Sequence, residues 1–435
     1  MRNVLFFFAA VAAYFLLLSQ IIEMPVALGA AASTIHFLVA CWIYLRHGGA
    51  LITPVGLFSI SSAAFLAMSF LFIWKQAEHA DVVAALAAWF CFSLTAGLAI
   101  RHQPPKAVSQ SLQQNMIRLI KPAVWLGICL AFLVLAFQFK SASSLLYRAA
   151  GLSVLVSYLV AVAMSVLLFN TRRLALCLVF AAVSLVAFYL YYKYFFWGSG
   201  RLRIVLFGTI GAVIVSTLHP MKILKPLSLA AFPLLLFWAG ASEFDTYTTA
   251  DFLNAKNLGS LYSPFETFSQ IIRDWSFWTE TRLADWGWGS SYLNILGNYV
   301  PRTLWPSKPE GLGRIYTYLI RPDLAHTGHT LSGSYLGELW ANFWWFGLVI
   351  GPMVIAPLLG WLSKLQRRIF GSDPELAFVW LLLYALSVAG IADFVWADSN
   401  TYTHRTINTA VVLFFAAAPM MLTYSINKVN ALRHV

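Results

Sequence analysis

The chain has 435 residues, of which 60% are hydrophobic and only 11% are charged. Soluble domains carry about 25% charged residues, so this composition excludes a soluble globular protein and indicates one that crosses a membrane repeatedly. The formal net charge of +12 would suggest nucleic-acid binding in a soluble protein, but here it fits Lys- and Arg-rich cytoplasmic loops, and we expect no nucleic-acid partner.

Apolar stretches long enough to cross a bilayer recur along most of the chain. A hydrocarbon core about 30 Å thick needs roughly 20 apolar residues in a helix. The sequence therefore predicts an all-α polytopic membrane protein with about twelve transmembrane helices, near residues 4–22, 25–45, 51–74, 81–100, 122–139, 149–169, 174–192, 204–219, 226–242, 335–362, 376–396 and 407–426. We interpret the first as an uncleaved signal anchor. The spans divide the chain into residues 1–242 with about nine helices, a polar loop over 243–334, and residues 335–435 with about three helices.

The four cysteines, Cys41, Cys91, Cys129 and Cys177, all lie inside apolar runs, where a thiol behaves as a small hydrophobe. No C-x-x-C pair, His/Cys cluster or Walker-type phosphate loop is present in the sequence. The sequence accordingly predicts no metal, no cofactor and no use of ATP.

Positive charges predict the orientation of the spans. With the N-terminus in the cytoplasm, 15 of the 29 Lys and Arg residues fall in cytoplasmic segments and seven in short loops on the other side. Both termini are then cytoplasmic, and the long loop, which holds the remaining seven, is periplasmic. The short outer loops contain Lys140, Arg148, Lys193, Arg201 and Arg203. These cations either anchor the protein to lipid headgroups or line a cavity for an anionic ligand.

The long loop contains two predicted helices. Ser263-Pro264-Phe265-Glu266 has the pattern of a helix start, with Ser as the N-cap and Glu closing a capping box, and predicts a helix to about Leu283. Its aromatic face suits a helix on the outer leaflet or a lid packed over the spans, with Arg273 and Arg282 off that face. A shorter helix is predicted from about Ser291 to Tyr299.

A rigid arm follows these helices. Residues 301–309 read P-R-T-L-W-P-S-K-P, and three prolines, each with φ fixed near −65°, forbid a regular helix. We predict a stiff extended segment that presents Arg302 and Lys308 to an anionic ligand. The alternative is a linker whose cations are incidental.

This run is followed by S-G-S-Y-L-G-E at 332–338 and by N-F-W-W-F-G at 342–347. Together these motifs resemble bacterial oligosaccharide repeat-unit polymerases, the Wzy-type O-antigen and exopolysaccharide polymerases, which are related to the O-antigen ligases. Some members carry an Arg-x10-Gly pattern in their large periplasmic loops. Arg302 to Gly313 has that spacing, whereas Arg321 to Gly333 is one residue longer.

The resemblance implies a C-type glycosyltransferase-like architecture in the bacterial inner membrane. It implies inverting transfer of a growing glycan from undecaprenyl pyrophosphate to a hydroxyl of another lipid-linked repeat unit on the periplasmic face. The expected partners are this lipid-linked oligosaccharide, membrane lipids, a Wzz-type chain-length regulator and a flippase.

Such a reaction needs cations and a base. Arginine holds phosphate through two parallel hydrogen bonds and stays charged, which suits a leaving pyrophosphate. The candidates for binding the pyrophosphate and glycan are Arg201, Arg203, Arg282, Arg302, Lys308, Arg314, Arg321 and Arg405. The candidates for accepting the proton of the attacking hydroxyl are Glu338, His329 and Asp398, followed by His326, Asp393 and His404. The alternatives are a helix-start carboxylate at Glu338 and an Asp–Arg ion pair in the last outer loop.

Two other functions remain open from the sequence. An O-antigen ligase or other lipid-linked glycosyltransferase uses the same donor with a different acceptor. A polysaccharide or lipid transporter would also have many spans, but a polar loop of about 90 residues rich in Trp and Pro disfavours it, as does the absence of evident internal repeats.

Overall fold

The computed structural model describes residues 24–102, 106–141, 144–195, 202–230, 259–274, 289–297, 300, 303–306, 311–323 and 330–433. Within these ranges every regular element is a helix and none is a strand, which confirms the all-α class. The helices before the long loop are α1 (Met24–Arg46), α2 (Pro54–Gln76), α3 (His79–Ala99), α4 (Gln110–Leu119), α5 (Pro122–Gln138), α6 (Ser144–Asn170), α7 (Leu174–Phe195) and α8 (Leu202–Leu218). Those within and after the loop are α9 (Gly259–Arg273), α10 (Ser290–Gly297), α11 (Leu312–Ile320), α12 (Ser334–Gly371), α13 (Pro374–Ala389), α14 (Ile391–Trp396) and α15 (Ser399–Arg433).

Several helices start at caps that the sequence encodes. Thr53 accepts a hydrogen bond from the Gly56 N–H at 3.0 Å, with Pro54 in the first turn of α2. At the start of α3, Glu78 and Asp81 form a reciprocal capping box. These caps define where two of the long apolar helices begin.

Seven of the described helices are long and apolar enough to cross a membrane: Met24–Arg46, Pro54–Gln76, His79–Ala99, Leu146–Asn170, Leu174–Phe195, Ser334–Ile369 and Leu376–Trp396. Helices α4 and α5 qualify together as a pair bent by 70°, and Val205–Leu218 is a shorter apolar helix. A multi-pass membrane protein is therefore confirmed. The predicted spans 4–22 and most of 226–242 lie outside the described residues, so the total of twelve remains a prediction.

The spans form two groups joined by α13. Helices α1, α2, α3 and α12 pack together, and α5, α6 and α7 form the second group. Helix α13 contacts both groups, and α8 packs against α6 and α13. Buried Phe58, Phe92 and Tyr335 lie in the core of the first group. This core supports the start of α12, which carries the candidate site.

Helix α12 differs from the single span predicted at 335–362. Trp344 has φ 57° and ψ −139°, so the helix breaks there into a short first part and a long second part. The second part returns beside the first, and the close approach is seen at two glycines. A Cβ at Gly347 would collide with the Leu339 carbonyl, and one at Gly351 would collide with the Leu339 side chain. The aromatic residues at the break, Trp344–Phe346, are exposed, as suits a membrane interface.

Helix α9 is packed over the spans, which is one of the two arrangements predicted for it. Phe265, Phe268 and Ile271 are fully buried, and α9 contacts α2, α3 and α12. The predicted start at Ser263 is wrong, since the helix begins at Gly259 and contains Pro264. A proline at this position removes one main-chain hydrogen bond of the helix. The predicted end near Leu283 is also wrong, since the helix ends at Arg273 and Asp274 lies in a turn.

Candidate functional site

Glu338 lies in the short first part of α12 and is 1% exposed. Its Oε1 accepts hydrogen bonds from Ser291 Oγ at 3.0 Å and from Ser399 Oγ at 2.7 Å, and its Oε2 accepts one from the Ser399 N–H at 2.8 Å. The carboxylate thus joins three helices, α10, α12 and α15. In the described part of the chain no Lys or Arg makes an ion pair with it.

Asn342 organises the donor from α10. Its Nδ2 donates to Ser291 Oγ at 2.7 Å and to the Glu338 carbonyl at 2.7 Å, while its Oδ1 accepts the Ser291 N–H at 3.3 Å. Because the Ser291 oxygen receives the amide hydrogen, its own hydrogen is directed at Glu338. Glu338 and Asn342 are four residues apart, so they share one face of the helix.

Asp398 caps α15. It is 8% exposed, and its Oδ1 accepts the Thr401 N–H at 2.6 Å, which is the bond of an N-cap aspartate. Burial raises the pKa of the Asp398 carboxyl above its ordinary range, and the Thr401 hydrogen bonds and the Arg405 charge partly offset that effect. Asp398 directly precedes Ser399, so the structure brings together two of the predicted bases, Glu338 and Asp398.

Two tyrosines border these carboxylates. Burial raises the pKa of the Tyr292 phenol, and the nearby charges of Glu338 and Asp398 act in the same direction. Burial and the same two carboxylates raise the pKa of the Tyr316 phenol as well. Both phenols therefore keep their protons at neutral pH.

The Asp–Arg ion pair that was the alternative interpretation of these charges joins α14 to α15. Arg405 Nη1 donates to Asp393 Oδ1, and the Asp393 side chain is 2% exposed. His404 is close to Asn408, with 3.2 Å between His404 Nε2 and Asn408 Nδ2. Arg405 is thus held within the protein near Asp398 and is only 20% exposed.

The other predicted cations are not gathered around Glu338 in the described structure. Arg314 is exposed and donates to the Tyr318 hydroxyl at 3.1 Å, and Arg321 makes an exposed two-pronged pair with Asp323. The structure does not describe the side chains of the remaining candidates, which are His326, His329, Arg201, Arg203, Arg282, Arg302 and Lys308. Within the described ranges no group of three or more His, Cys, Asp or Glu is placed to hold a metal.

Gly313 and Gly333, the two glycines of the Arg-x10-Gly comparison, each lie at a close packing contact. Gly313 packs against the backbone of Leu331, and Gly333 packs against the ring of Tyr316. A Cβ at Gly313 would lie 2.6 Å from the Leu331 carbonyl oxygen, and one at Gly333 would collide with the Tyr316 ring. Leu331 N–H also donates to the Gly313 carbonyl at 3.0 Å. The two glycines therefore hold α11 against the segment that leads into α12.

Sequence reasoning did not identify Ser291, Asn342 or Ser399. Isolated serines in a membrane protein carry no distinctive pattern, and Ser291 and Ser399 are more than 100 residues apart. One signal was present: the four-residue spacing of Glu338 and Asn342 in a predicted helix, which places a carboxylate and an amide on one face.

The segments that build this site coincide with a match to a known family. Residues 289–423 match the family model of the O-antigen polysaccharide polymerase Wzy. Neither the comparison with curated proteins nor that with solved structures found a match. The family match confirms the resemblance to Wzy-type polymerases, and it includes α10, the first part of α12 and the start of α15.

Proposed function

We propose that this chain, whose residues 289–423 carry the Wzy polymerase signature, joins undecaprenyl-pyrophosphate-linked repeat units by inverting glycosyl transfer. The family match supports repeat-unit polymerisation in general. The observation that carries the proposed site is the buried Glu338 carboxylate at the junction of α10, α12 and α15. All three of these segments lie inside the matched region.

In the proposed step the oxygen of an acceptor sugar hydroxyl attacks the anomeric carbon of the donor glycan. The bond from that carbon to the pyrophosphate oxygen breaks, and its electron pair leaves with the lipid pyrophosphate. The acceptor's proton passes to Glu338, which later returns it to solvent. Because the attack and departure occur on opposite sides, the anomeric configuration inverts.

The hydrogen bonds indicate which oxygen of Glu338 accepts the proton. A carboxylate has about four acceptor positions, two on each oxygen. Two hydroxyl donors already occupy Oε1, whereas Oε2 receives only the Ser399 N–H. Oε2 therefore retains one position for the acceptor hydroxyl. Ser291, Asn342 and Ser399 act through Glu338 and are positioning residues.

The leaving pyrophosphate carries negative charge that must be stabilised as it develops. Positive groups that are already in place do this without a cost of reorganisation during the reaction. We propose that Arg302 and Lys308 of the Pro-rich arm supply it, together with Arg201, Arg203, Arg282, Arg314, Arg321 and Arg405. His329 and Asp398 remain the proposed alternative bases. The proposed location is the bacterial inner membrane with the site on the periplasmic face, where a Wzz-type regulator and a flippase would act beside the protein.

Chain extension by purified protein from lipid-linked repeat units tests this function. We expect Glu338→Gln to lower the rate about 10²–10⁴-fold, the usual contribution of general-base catalysis. The matched control is Glu266→Gln, because Glu266 is an exposed glutamate of α9. Near-normal extension by Glu338→Gln would remove the base role from Glu338.

A deletion strain separates the polymerase from the ligase. A surface glycan ladder reduced to a single repeat unit supports polymerisation. Complete loss of attached polymer, including the single unit, supports a ligase instead.

A further inference from the structure

Asn294 of α10 is a buried amide whose hydrogen-bonding capacity is unused. Its side chain is 2% exposed, and its Oδ1 has no hydrogen-bond partner. A buried polar atom left unbonded destabilises the protein. A ligand that donated a hydrogen bond to Oδ1 would remove this destabilisation, so Asn294 is a candidate ligand-binding residue.

The position of Asn294 connects it to the candidate site. It follows Ser291 by three residues, so both lie on one face of α10, and Ser291 donates to Glu338. That helix packs against α15, where Ser399 makes its two bonds to the same carboxylate. The Asn294 amide thus lies one helical turn from the side chain that holds the proposed base.

A small gap beside Gly311 adjoins the Nδ2 end of this amide. A half-turn of the amide about its last torsion exchanges Nδ2 and Oδ1, so the unbonded oxygen can also be turned towards the gap. A Cβ built at Gly311 would lie 3.8 Å from Asn294 Nδ2 and 3.4 Å from Asn400 Nδ2. The backbone of Gly311 has φ −65° and ψ 144°, which any residue can adopt. Glycine is therefore not required at position 311 by the backbone conformation. Its lack of a side chain leaves room between the amides of Asn294 and Asn400.

We propose that Asn294 and the gap at Gly311 form a subsite for a sugar hydroxyl of the substrate. A hydroxyl is both a donor and an acceptor, and an amide offers both complements. The described groups at the gap, Asn294, Gly311 and Asn400, are uncharged, which favours a neutral sugar over the pyrophosphate. This inference rests on the proposed polymerase function and adds a position that selects the glycan.

Two substitutions remove the subsite in different ways. Asn294→Leu keeps the approximate volume and removes the amide. Gly311→Ala places a methyl group in the gap at ordinary contact distances, so the unliganded protein accommodates it. The matched control is Gly97→Ala in α3, where an added Cβ meets nothing within 4 Å.

The experiment measures KM and kcat for extension of lipid-linked repeat units, and thermal unfolding without substrate. We expect both site variants to raise KM about tenfold, the typical effect of one lost hydrogen bond of about 1.4 kcal/mol, with a smaller change in kcat. Asn294→Leu should unfold at or above the wild-type temperature, because it removes an unbonded buried amide. The control should match the wild type in both measurements.

The outcomes distinguish this inference from the function on which it rests. Wild-type KM in both variants overturns the subsite and leaves the polymerase intact. Unfolding of Asn294→Leu several degrees below wild type shows that the amide is structural, and this also overturns the subsite. Failure of the wild-type protein itself to extend repeat units overturns the proposed function.

Discussion

The two buried carboxylates near the start of α15 differ in what their hydrogen bonds accomplish. Asp398 accepts the Thr401 N–H of its own helix, so its bond is local and stabilises the helix start. Glu338 accepts donors from α10 and α15 while belonging to α12. A carboxylate placed by three separate elements is costly to assemble, and this favours Glu338 as the functional group.

Asp398→Asn tests this difference. Asparagine caps a helix about as well as aspartate, so we expect thermal unfolding to stay close to wild type. We also expect extension to stay within about tenfold of wild type, since the proposed base is Glu338. Asp398→Ala, by contrast, should destabilise the protein by about 1 kcal/mol through loss of the cap.

An inactive but folded Asp398→Asn protein would move the base role to Asp398. That outcome would be interpretable, because Asp398→Asn removes the carboxylate charge while its side chain still caps α15. Sequence alone could nominate both carboxylates, because ionisable groups at the edges of apolar spans are unusual. It could not rank them, since the ranking depends on hydroxyl donors that are distant along the chain.

The element that presents Glu338 is the broken helix α12. Hydropathy across 335–362 is continuous, so a window of about 20 residues predicts one uninterrupted span there. The break at Trp344 appears only in the folded chain, where the second part of α12 returns beside Leu339. This fold-back leaves the first part short and buried, with Glu338 facing α10 and α15.

Gly347→Ala tests whether the fold-back places the site. An added Cβ would collide with the backbone carbonyl of Leu339, which cannot move aside as a flexible side chain can. We expect a loss of roughly 1–3 kcal/mol of stability, the usual effect of overpacking, and reduced extension. Thermal unfolding and the extension assay measure both effects.

The control for this substitution is Gly127→Ala in α5, where an added Cβ meets nothing within 4 Å. It should unfold and extend repeat units like the wild type. Wild-type stability in Gly347→Ala would contradict the close approach of Gly347 to the Leu339 carbonyl. The sequence offered Gly347 within N-F-W-W-F-G as part of a family motif, but only the packing gives its physical reason.

At the scale of the whole molecule, the connecting segments separate into two sets. Segments predicted to be cytoplasmic bond to one another: the Gln113 amide donates to the Leu218 carbonyl at 2.7 Å, Lys106 N–H donates to Gln366 at 2.8 Å, and Lys225 Nζ donates to the His47 carbonyl at 2.7 Å. Charge alternation along the sequence thus predicted which segments share an end of the bundle.

The segments predicted to be periplasmic meet in the same way. Arg273 of α9 pairs with Glu78 before α3 at 3.1 Å, and Ser291 and Ser399 converge on Glu338. The fold groups the ends, but only the distribution of Lys and Arg indicates which end faces the cytoplasm.

Reporter fusions test the orientation. Fusions after Arg118, Arg172 and Arg367 should report a cytoplasmic location, because these residues belong to the set rich in Lys and Arg. Fusions within α10 or α11 should report a periplasmic location, the side on which a lipid-linked donor would be used. Full-length protein with the reporter after Val435 should read cytoplasmic and serves as the control for correct insertion. A cytoplasmic signal from α10, with that control intact, would place Glu338 on the opposite face and contradict the proposed periplasmic polymerisation.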